Sequence, residues 1–335
     1  MSVVRLGLVG AGVVARLHVQ AALDLAALDL AAEVRVTAVY DPDQARAEAL
    51  AEPAGGRAYP DHVSMLADVD ALIVCTPHAL HLTPAADAAR AGVHVLMEKP
   101  MATTLADCDA MTAACADVVL FVGHIQHYLP ITRTAREVIA SGAIGRPVAV
   151  VDRRATDYRP GHRPGWFFDP AVAGGGAVMN IGAHGIDRVT WLTGARPVSV
   201  SARLERRGTP VETEGVLNLE LDGGLPATVS ITSAALPPVD VIEVMGTEGT
   251  VRASRADGVW LATPDRAEQV LAPGDIDQEV AVAFRDQLAD FAAAVRGERP
   301  PAIGAGVGRD VVATVLAAYA SAASGRREPV DRGPA

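Results

Sequence analysis

Lysine is almost missing from this chain. Of its 29 basic residues all but one, Lys99, are arginine. Where any cation will serve, such a composition supplies arginine, which stays charged at every accessible pH, whereas lysine can lose its proton when desolvated. Lys99 is therefore either a chance survivor in a surface turn or the one cation able to give and take a proton near neutrality. Cysteine is scarce as well. Cys75, Cys108 and Cys115 form an odd set without metal-ligand spacing, which argues against a disulfide framework or a metal site and for ordinary thiols in a reducing compartment. Cys108 and Cys115, two helical turns apart, can share a face without being bonded. No apolar run reaches membrane-spanning length, and no leader precedes the first strand, so a soluble, cytoplasmic protein is expected. Nor is there a basic excess. The net charge of -11 argues against nucleic acid or an anionic membrane as partner. The acidic residues form no long run and read as solvated surface.

What is present is length and apolar content. At 335 residues, half of them hydrophobic, the chain can fill two cores. Residues 3–9 form a short apolar run that leads into Gly10-Ala11-Gly12-Val13-Val14-Ala15, a G-x-G-x-x-A turn before a helical pattern over 13–32. Gly10 permits the tight turn, Gly12 lets backbone approach a pyrophosphate, and Ala15 allows close helix–strand packing. The helix amides then receive the anion. Residues 34–40 read as a buried strand ending at Asp41, where adenosine ribose hydroxyls are read. Asp41 would repel a 2′-phosphate and favours NAD over NADP; Arg46, a turn on, argues the other way. Asp41 can also serve as the N-cap of the next helix.

The alternation continues with strands at 71–75, 93–97 and 118–122 and helices to 91 and over 105–116. It implies a doubly wound parallel sheet over 1–122, an α/β Rossmann domain. Gly10, Asp41, Thr76 and Lys99 all follow strand ends and share its ligand-binding rim.

Together these residues resemble the Gfo/Idh/MocA oxidoreductases, relatives of glucose–fructose oxidoreductase and inositol dehydrogenase. The resemblance is carried by Gly10 to Ala15 with His18, by Thr76-Pro77 with His81, by Glu98-Lys99-Pro100, and by Gly174-Gly175-Gly176 through Asn180, Gly182, His184 and Asp187. It implies a second α/β domain over 123–335 with a large open, mainly antiparallel sheet, paired in homodimers or homotetramers. It also implies hydride transfer between a nicotinamide cofactor and a hydroxyl-bearing carbon of a sugar or cyclitol. The implied cofactor-binding residues are Gly10, Gly12, Val13, Val14, Asp41, Thr76, Pro77, His81, Glu98 and Lys99. Lys99 and His184 are the implied catalytic pair, with Asn180 beside them on the substrate. The family often has arginine where His127 stands and aspartate where Asn180 stands. Asparagine can orient but not carry a proton, which leaves proton transfer to His184 or Lys99. Two rivals fit the same fold: a glycosidase that oxidises and re-reduces its substrate with a tightly held NAD, and a non-catalytic nucleotide-binding sensor.

The second half adds readings of its own. Asn180 and His184, four apart on a helix over 177–192, share a face, and Asp187 is a neighbour of His184. After a strand at 147–155, a loop gathers Asp157, Tyr158, Arg159, His162, Arg163, Trp166, Phe167 and Phe168, although aromatics are only 4% of the chain. An aromatic platform beside forked donors suits a sugar, which makes Tyr158, Arg159 and Trp166 substrate candidates; the alternative is a folded loop anchored by Trp166. Arg153, Arg154 and Arg159 could supply a phosphate site for a nucleotide sugar. Strands follow at 198–206, 215–221, 227–232, 239–245, 250–253 and 258–262, with Asp222-Gly223-Gly224 as a hairpin turn. Two helices, over 280–296 and 307–323, close the pattern.

Overall fold

The apolar runs of the first third become the strands of one parallel sheet. In the computed structural model, which describes residues 3–30, 34–233 and 237–333, these are β1 (Val4–Val9), β2 (Val34–Tyr40), β3 (Arg57–Ala58), β4 (Ala71–Val74), β5 (His94–Glu98) and β6 (Leu120–Gly123). Their order is β3-β2-β1-β4-β5-β6, and every pairing is parallel. Strand order therefore reverses between β1 and β4, the position at which doubly wound sheets bind ligands beyond their carboxyl ends. Burial on both faces explains the continuous apolar sequences of β1, β4 and β5. The intervening helices are α1 (Val13–Leu25), α2 (Gln44–Ala51), α3 (Leu82–Arg90) and α4 (Leu105–Ala114). α1 stops short of the expected 13–32 span: a π-helical turn, Ala26–Leu30, follows it, and residues 31–33 lie outside the described residues. The three cysteines are unbonded. Burial pushes the Cys108 thiol up to about 12 and Cys115 up to about 11, so neither is a nucleophile at neutral pH.

The second sheet has nine strands: β7 (Pro147–Ala155), β8 (Pro197–Glu205), β9 (Glu214–Leu221), β10 (Leu225–Thr232), β11 (Val239–Gly246), β12 (Thr250–Ser254), β13 (Gly258–Ala262), β14 (Ala267–Leu271) and β15 (Glu328–Pro329). They run in the order β14-β13-β12-β11-β7-β10-β9-β8-β15. All neighbours are antiparallel except the central pair β7 and β10. The expected Asp222–Gly224 turn joins β9 to β10, with Gly223 and Gly224 at φ 71° and 75°. Helices α5 (Pro130–Ala140), α6 (Pro170–Ala173) and α7 (Ala183–Thr193) belong to this unit. α5 packs on β12 and β13, and α7 on β7 and β10. The other face carries a cross-strand row of Trp260, Arg252, Glu243, Val151, Thr228, Asn218 and Ser201.

Two long helices, α8 (Ile276–Val295) and α9 (Ala305–Ser324), close the chain. The sequence places all of 123–335 in the second domain; the structure divides the chain differently. One unit comprises 1–125 and 280–309, the other 126–279 and 310–335. The reason lies in α8, which turns Phe284 edge-on to His18 at 5.0 Å and Phe291 onto Phe121 at 5.9 Å. The amide of Val122 on β6 then donates to the Ile303 carbonyl at 2.9 Å, which covers an otherwise open sheet edge. No helix among the described residues is long and apolar enough to cross a membrane.

Candidate active site

In the first unit, Gly10, Gly12, Asp41, Thr76 and Lys99 follow the carboxyl ends of neighbouring parallel strands. Gly10 has φ +95°, and a Cβ there would lie 2.7 Å from the Cys75 carbonyl oxygen, so only glycine fits the turn. A Cβ at Gly12 would meet nothing within 4 Å. Gly12 is the N-cap of α1, with no side-chain cap and no acid in the first turn. The amides of the first turn, at Val13 and Val14, thus have no N-cap side chain to receive them and suit an anion. Val13 itself is 72% exposed. Asp41 stands beside this loop: its Oδ2 accepts the Ala11 amide at 2.8 Å, and its Oδ1 accepts the Asp43 amide at 2.9 Å. The N-cap of α2 is Asp43, which accepts the Arg46 amide, so the capping role considered for Asp41 belongs to its neighbour. The Arg46 guanidinium lies 3.0 Å from Asp41 and 3.2 Å from Asp43.

Further along the rim, the Thr76 hydroxyl is buried with no hydrogen-bond partner among the described residues. An open glycine turn, uncapped helix amides and an orphaned hydroxyl in one row fit a dinucleotide. His81 lies behind that row rather than on it. Its Nε2 is 3.0 Å from the Thr76 carbonyl and its Nδ1 3.2 Å from the Met101 carbonyl. Burial lowers its pKa, so a neutral ring donates to one of these carbonyls at a time and ties the Thr76-Pro77 turn to the stretch after Lys99.

Lys99 leaves the end of β5 on a braced backbone. Its amide donates to Glu98 Oε2 at 3.2 Å, and Glu98 Oε1 sits 2.8 Å from His18 Nε2 in the interior. Burial alone would raise the Glu98 pKa; the His18 hydrogen bond and the charges of His18 and Lys99 outweigh it and hold Glu98 below the usual range. A Cβ at Gly123 would come within 3.3 Å of that carboxyl, so the next strand leaves room for the acid and little more.

The second unit holds the remaining residues. Asn180 does not lie in an α-helix as the spacing predicts. It lies in a π-helical turn, Val178–Gly182, which passes directly into α7 and His184. Such turns insert one extra residue and recur at functional sites. Asn180 is buried and His184 half-buried. Asp187 lies 2.9 Å from His127 Nε2, and the His127 ring stacks on Trp191 at 4.3 Å. His127 thus has a definite place, braced on α7.

The aromatic loop divides. Tyr158 is fully buried, packed edge-on to Phe168 at 5.5 Å and hydrogen-bonded to Asn180. It supports Asn180 and offers no surface of its own to a sugar. Trp166 is half-buried and stacks on Phe167 at 3.8 Å. Arg159 is exposed and forks onto Asp157 at 2.6 and 2.7 Å. The phosphate site considered from Arg153, Arg154 and Arg159 does not form. Alternation along β7 sends Arg153 to the other face, and Arg154 is buried beside Gln126, Asp152 and Asp240.

Sequence reasoning overlooks two groups here. Glu212 and Tyr319 meet at the glycine entrance to the π turn, 2.8 Å apart. Arg188 is completely enclosed between Asp152 and Asp240, each at 2.7 Å. Polar residues at the inward positions 152 and 154 of an otherwise apolar strand face were a visible cue to the second group. The first joins residues 107 apart in sequence, with no local pattern to reveal it.

Comparison with known proteins places these halves in context. A model of an oxidoreductase family's NAD-binding Rossmann fold matches residues 4–124, and a GFO/IDH/MocA C-terminal domain model matches 132–252. A 1,5-anhydro-D-fructose reductase of Ensifer adhaerens is 31% identical, over 79% of this chain and 81% of its own. Inositol 2-dehydrogenase 1 of Saccharopolyspora erythraea is 31% identical, over 88% of this chain and 87% of its own. Among solved structures, GenD2 from gentamicin A biosynthesis, in complex with NAD, superposes with a TM-score of 0.85 at 28% identity, covering 98% of this chain and 97% of that one.

Proposed function

The chain belongs to the Gfo/Idh/MocA oxidoreductases, and from that premise we propose that it transfers hydride between NAD and a hydroxyl-bearing carbon of a sugar or cyclitol. The observation that carries this reading is the single rim where the open Gly12 turn, Asp41, the Thr76 hydroxyl and Lys99 follow successive parallel strands. Gly10, Gly12, Val13 and Val14 would hold the pyrophosphate, and Asp41 the adenosine ribose. When bound, the nicotinamide supplies the hydride acceptor or donor. His184 takes the hydroxyl proton as the carbon is oxidised and returns it in reduction, a task suited to an imidazole. Lys99 holds the developing alkoxide, and the Glu98–His18 pair fixes where Lys99 stands. Asn180 orients the hydroxyl, with Arg159 and Trp166 as further substrate contacts.

The direct test is a panel of cyclitols, monosaccharides and anhydrosugars, with the matching ketones, mixed with NAD(H) or NADP(H) and followed by nicotinamide absorbance. Turnover on at least one polyol–ketone pair is expected; silence across the panel counts against the reading. Cofactor choice turns on Asp41. With its carboxylate in place, a 2′-phosphate is repelled and NAD is preferred. Asp41→Ala is expected to raise KM for NAD roughly 10- to 100-fold and to lower KM for NADP, because Arg46 then loses one of its two carboxylates. Adding Arg46→Ala should abolish the NADP gain, and KM values for both cofactors in the three proteins decide it.

The exposed sheet face suits a homodimer or a dimer of dimers. Val151, Val216 and Trp260 are each 37–40% exposed on it, among alternating charges. Sedimentation velocity is expected to give an even-numbered oligomer, and Val151→Arg to shift it toward monomer.

A further inference from the structure

The glycine run before α7 has a partner distant in sequence. Three successive amides at this entrance converge on one residue. Glu212 Oε1 accepts the amide of Gly176 at 2.8 Å and that of Val178 at 3.0 Å, while the Glu212 carbonyl accepts the amide of Ala177 at 2.8 Å. The same Oε1 accepts the Tyr319 hydroxyl at 2.8 Å. Glu212 is buried, so these donors replace water around its carboxylate. Burial and the neighbouring Glu212 charge push the Tyr319 pKa well up, so its hydroxyl remains a donor at any working pH.

The glycines exist to admit this pair. A Cβ at Gly176 would lie 1.9 Å from the Glu212 carbonyl oxygen, and one at Gly175 would lie 1.9 Å from the Tyr319 hydroxyl. Directly beyond the anchor comes the π turn. The Asn180 amide donates to the Gly176 carbonyl at 3.0 Å, and the turn releases the chain into α7 at His184. A π turn holds one residue more than an α turn and relaxes to α if either end is free to slip by one position. A one-residue slip rotates a side chain by about 100° around the helix axis. With its first amides pinned, this segment cannot slip, and Asn180 keeps its angle relative to His184.

We infer that Glu212, braced by Tyr319, is a positioning residue that locks the π turn and so fixes Asn180 on the face presented by His184. The inference rests on the reading of Asn180 and His184 as the groups that handle substrate. It is tested with the full-length protein and NAD, using Glu212→Ala, Glu212→Gln and Tyr319→Phe. Glu212→Ala is expected to lower kcat roughly 100-fold, the usual consequence of a misplacement near 1 Å, with the fluorescence-measured affinity for NADH unchanged. Glu212→Gln keeps an acceptor oxygen for the amides and should recover kcat to within about tenfold. Amide hydrogen exchange in peptides spanning 174–184 should accelerate in Glu212→Ala, less in Tyr319→Phe and least in Glu212→Gln. Should Glu212→Ala fail to fold, Tyr319→Phe against Glu212→Gln supplies the same ordering. Unchanged exchange at 174–184, or a lowered melting temperature with normal kcat, overturns the inference. Accelerated exchange in a protein whose wild type turns over no substrate sinks the dehydrogenase reading and leaves the anchor standing.

Discussion

Lys99→Arg is expected to keep the fold and the affinity for NAD and to cut kcat by roughly 10²- to 10⁴-fold. The substitution preserves charge, so a loss of this size isolates what lysine does and arginine cannot. An ammonium is a compact charge with three donors that turn freely about one bond; a guanidinium is a planar fork that never deprotonates. The backbone at this position gives an arginine little freedom to compensate. The Lys99 amide is held on Glu98 at 3.2 Å, Glu98 on His18 at 2.8 Å, and the space behind the carboxyl is closed at Gly123. A longer side chain on that fixed stem cannot retract to where the ammonium stood. Composition sharpens the point: in a chain that uses arginine for all its other 28 cations, a site satisfied by bare charge had every opportunity to be arginine. Single-turnover hydride transfer, monitored beside NADH affinity, separates chemistry from binding. A variant with more than a tenth of wild-type kcat and normal affinity would remove Lys99 from the chemistry.

The parts of this molecule that were legible in the sequence are those written in local pattern. Apolar runs broken by glycine and helical periodicity give five of the six strands of the first sheet, because a parallel strand buried on both faces is largely apolar; the two-residue edge strand β3, Arg57–Ala58, has no such run. The rim follows, since Gly10, Asp41, Thr76 and Lys99 each end a strand. What local pattern does not record is which side chains pack against one another. Helix α8 looks like a late element of the second domain until Phe284 and Phe291 are seen against His18 and Phe121. Tyr158 looks like a sugar platform because its loop is polar; its ring is enclosed by Phe167 and Phe168. His81 looks like a cofactor contact because it follows Thr76-Pro77, yet both its ring nitrogens face backbone carbonyls. The glycine triplet is plain in the sequence, but a glycine records only that something comes close and not that the visitor is Glu212.

Asp152→Asn is expected to be the most damaging conservative change in the second unit, costing about 3–5 kcal/mol. Three guanidinium groups, from Arg154, Arg188 and Arg255, share two carboxylates, those of Asp152 and Asp240. Asp152 and Arg188 are wholly enclosed. The set already carries one positive charge too many. Removing the Asp152 charge leaves three cations on a single carboxylate, whereas Arg188→Met leaves two on two. The asparagine variant should therefore be the less stable of the pair, although it changes one atom and the methionine variant changes a whole side chain. Asp152 also forms the floor under α7: a Cβ at Gly185 would lie 2.9 Å from its Oδ1, so reorganisation here tilts the helix that carries His184. All three tryptophans, Trp166, Trp191 and Trp260, lie in the second unit, so urea unfolding followed by tryptophan fluorescence reports on this unit alone. Burial would raise the Asp240 pKa, but Arg154, Arg188 and Arg255 hold it well below the usual carboxylate range. Its contribution is complete above the ordinary carboxylate pKa of about 4 and fades as pH falls toward the lowered folded value. The wild-type transition should thus weaken on acidification from pH 5 to about 3 as the Asp240 contribution fades. A wild-type stability that stayed constant over this range would mean that the cluster is held by packing and not by charge.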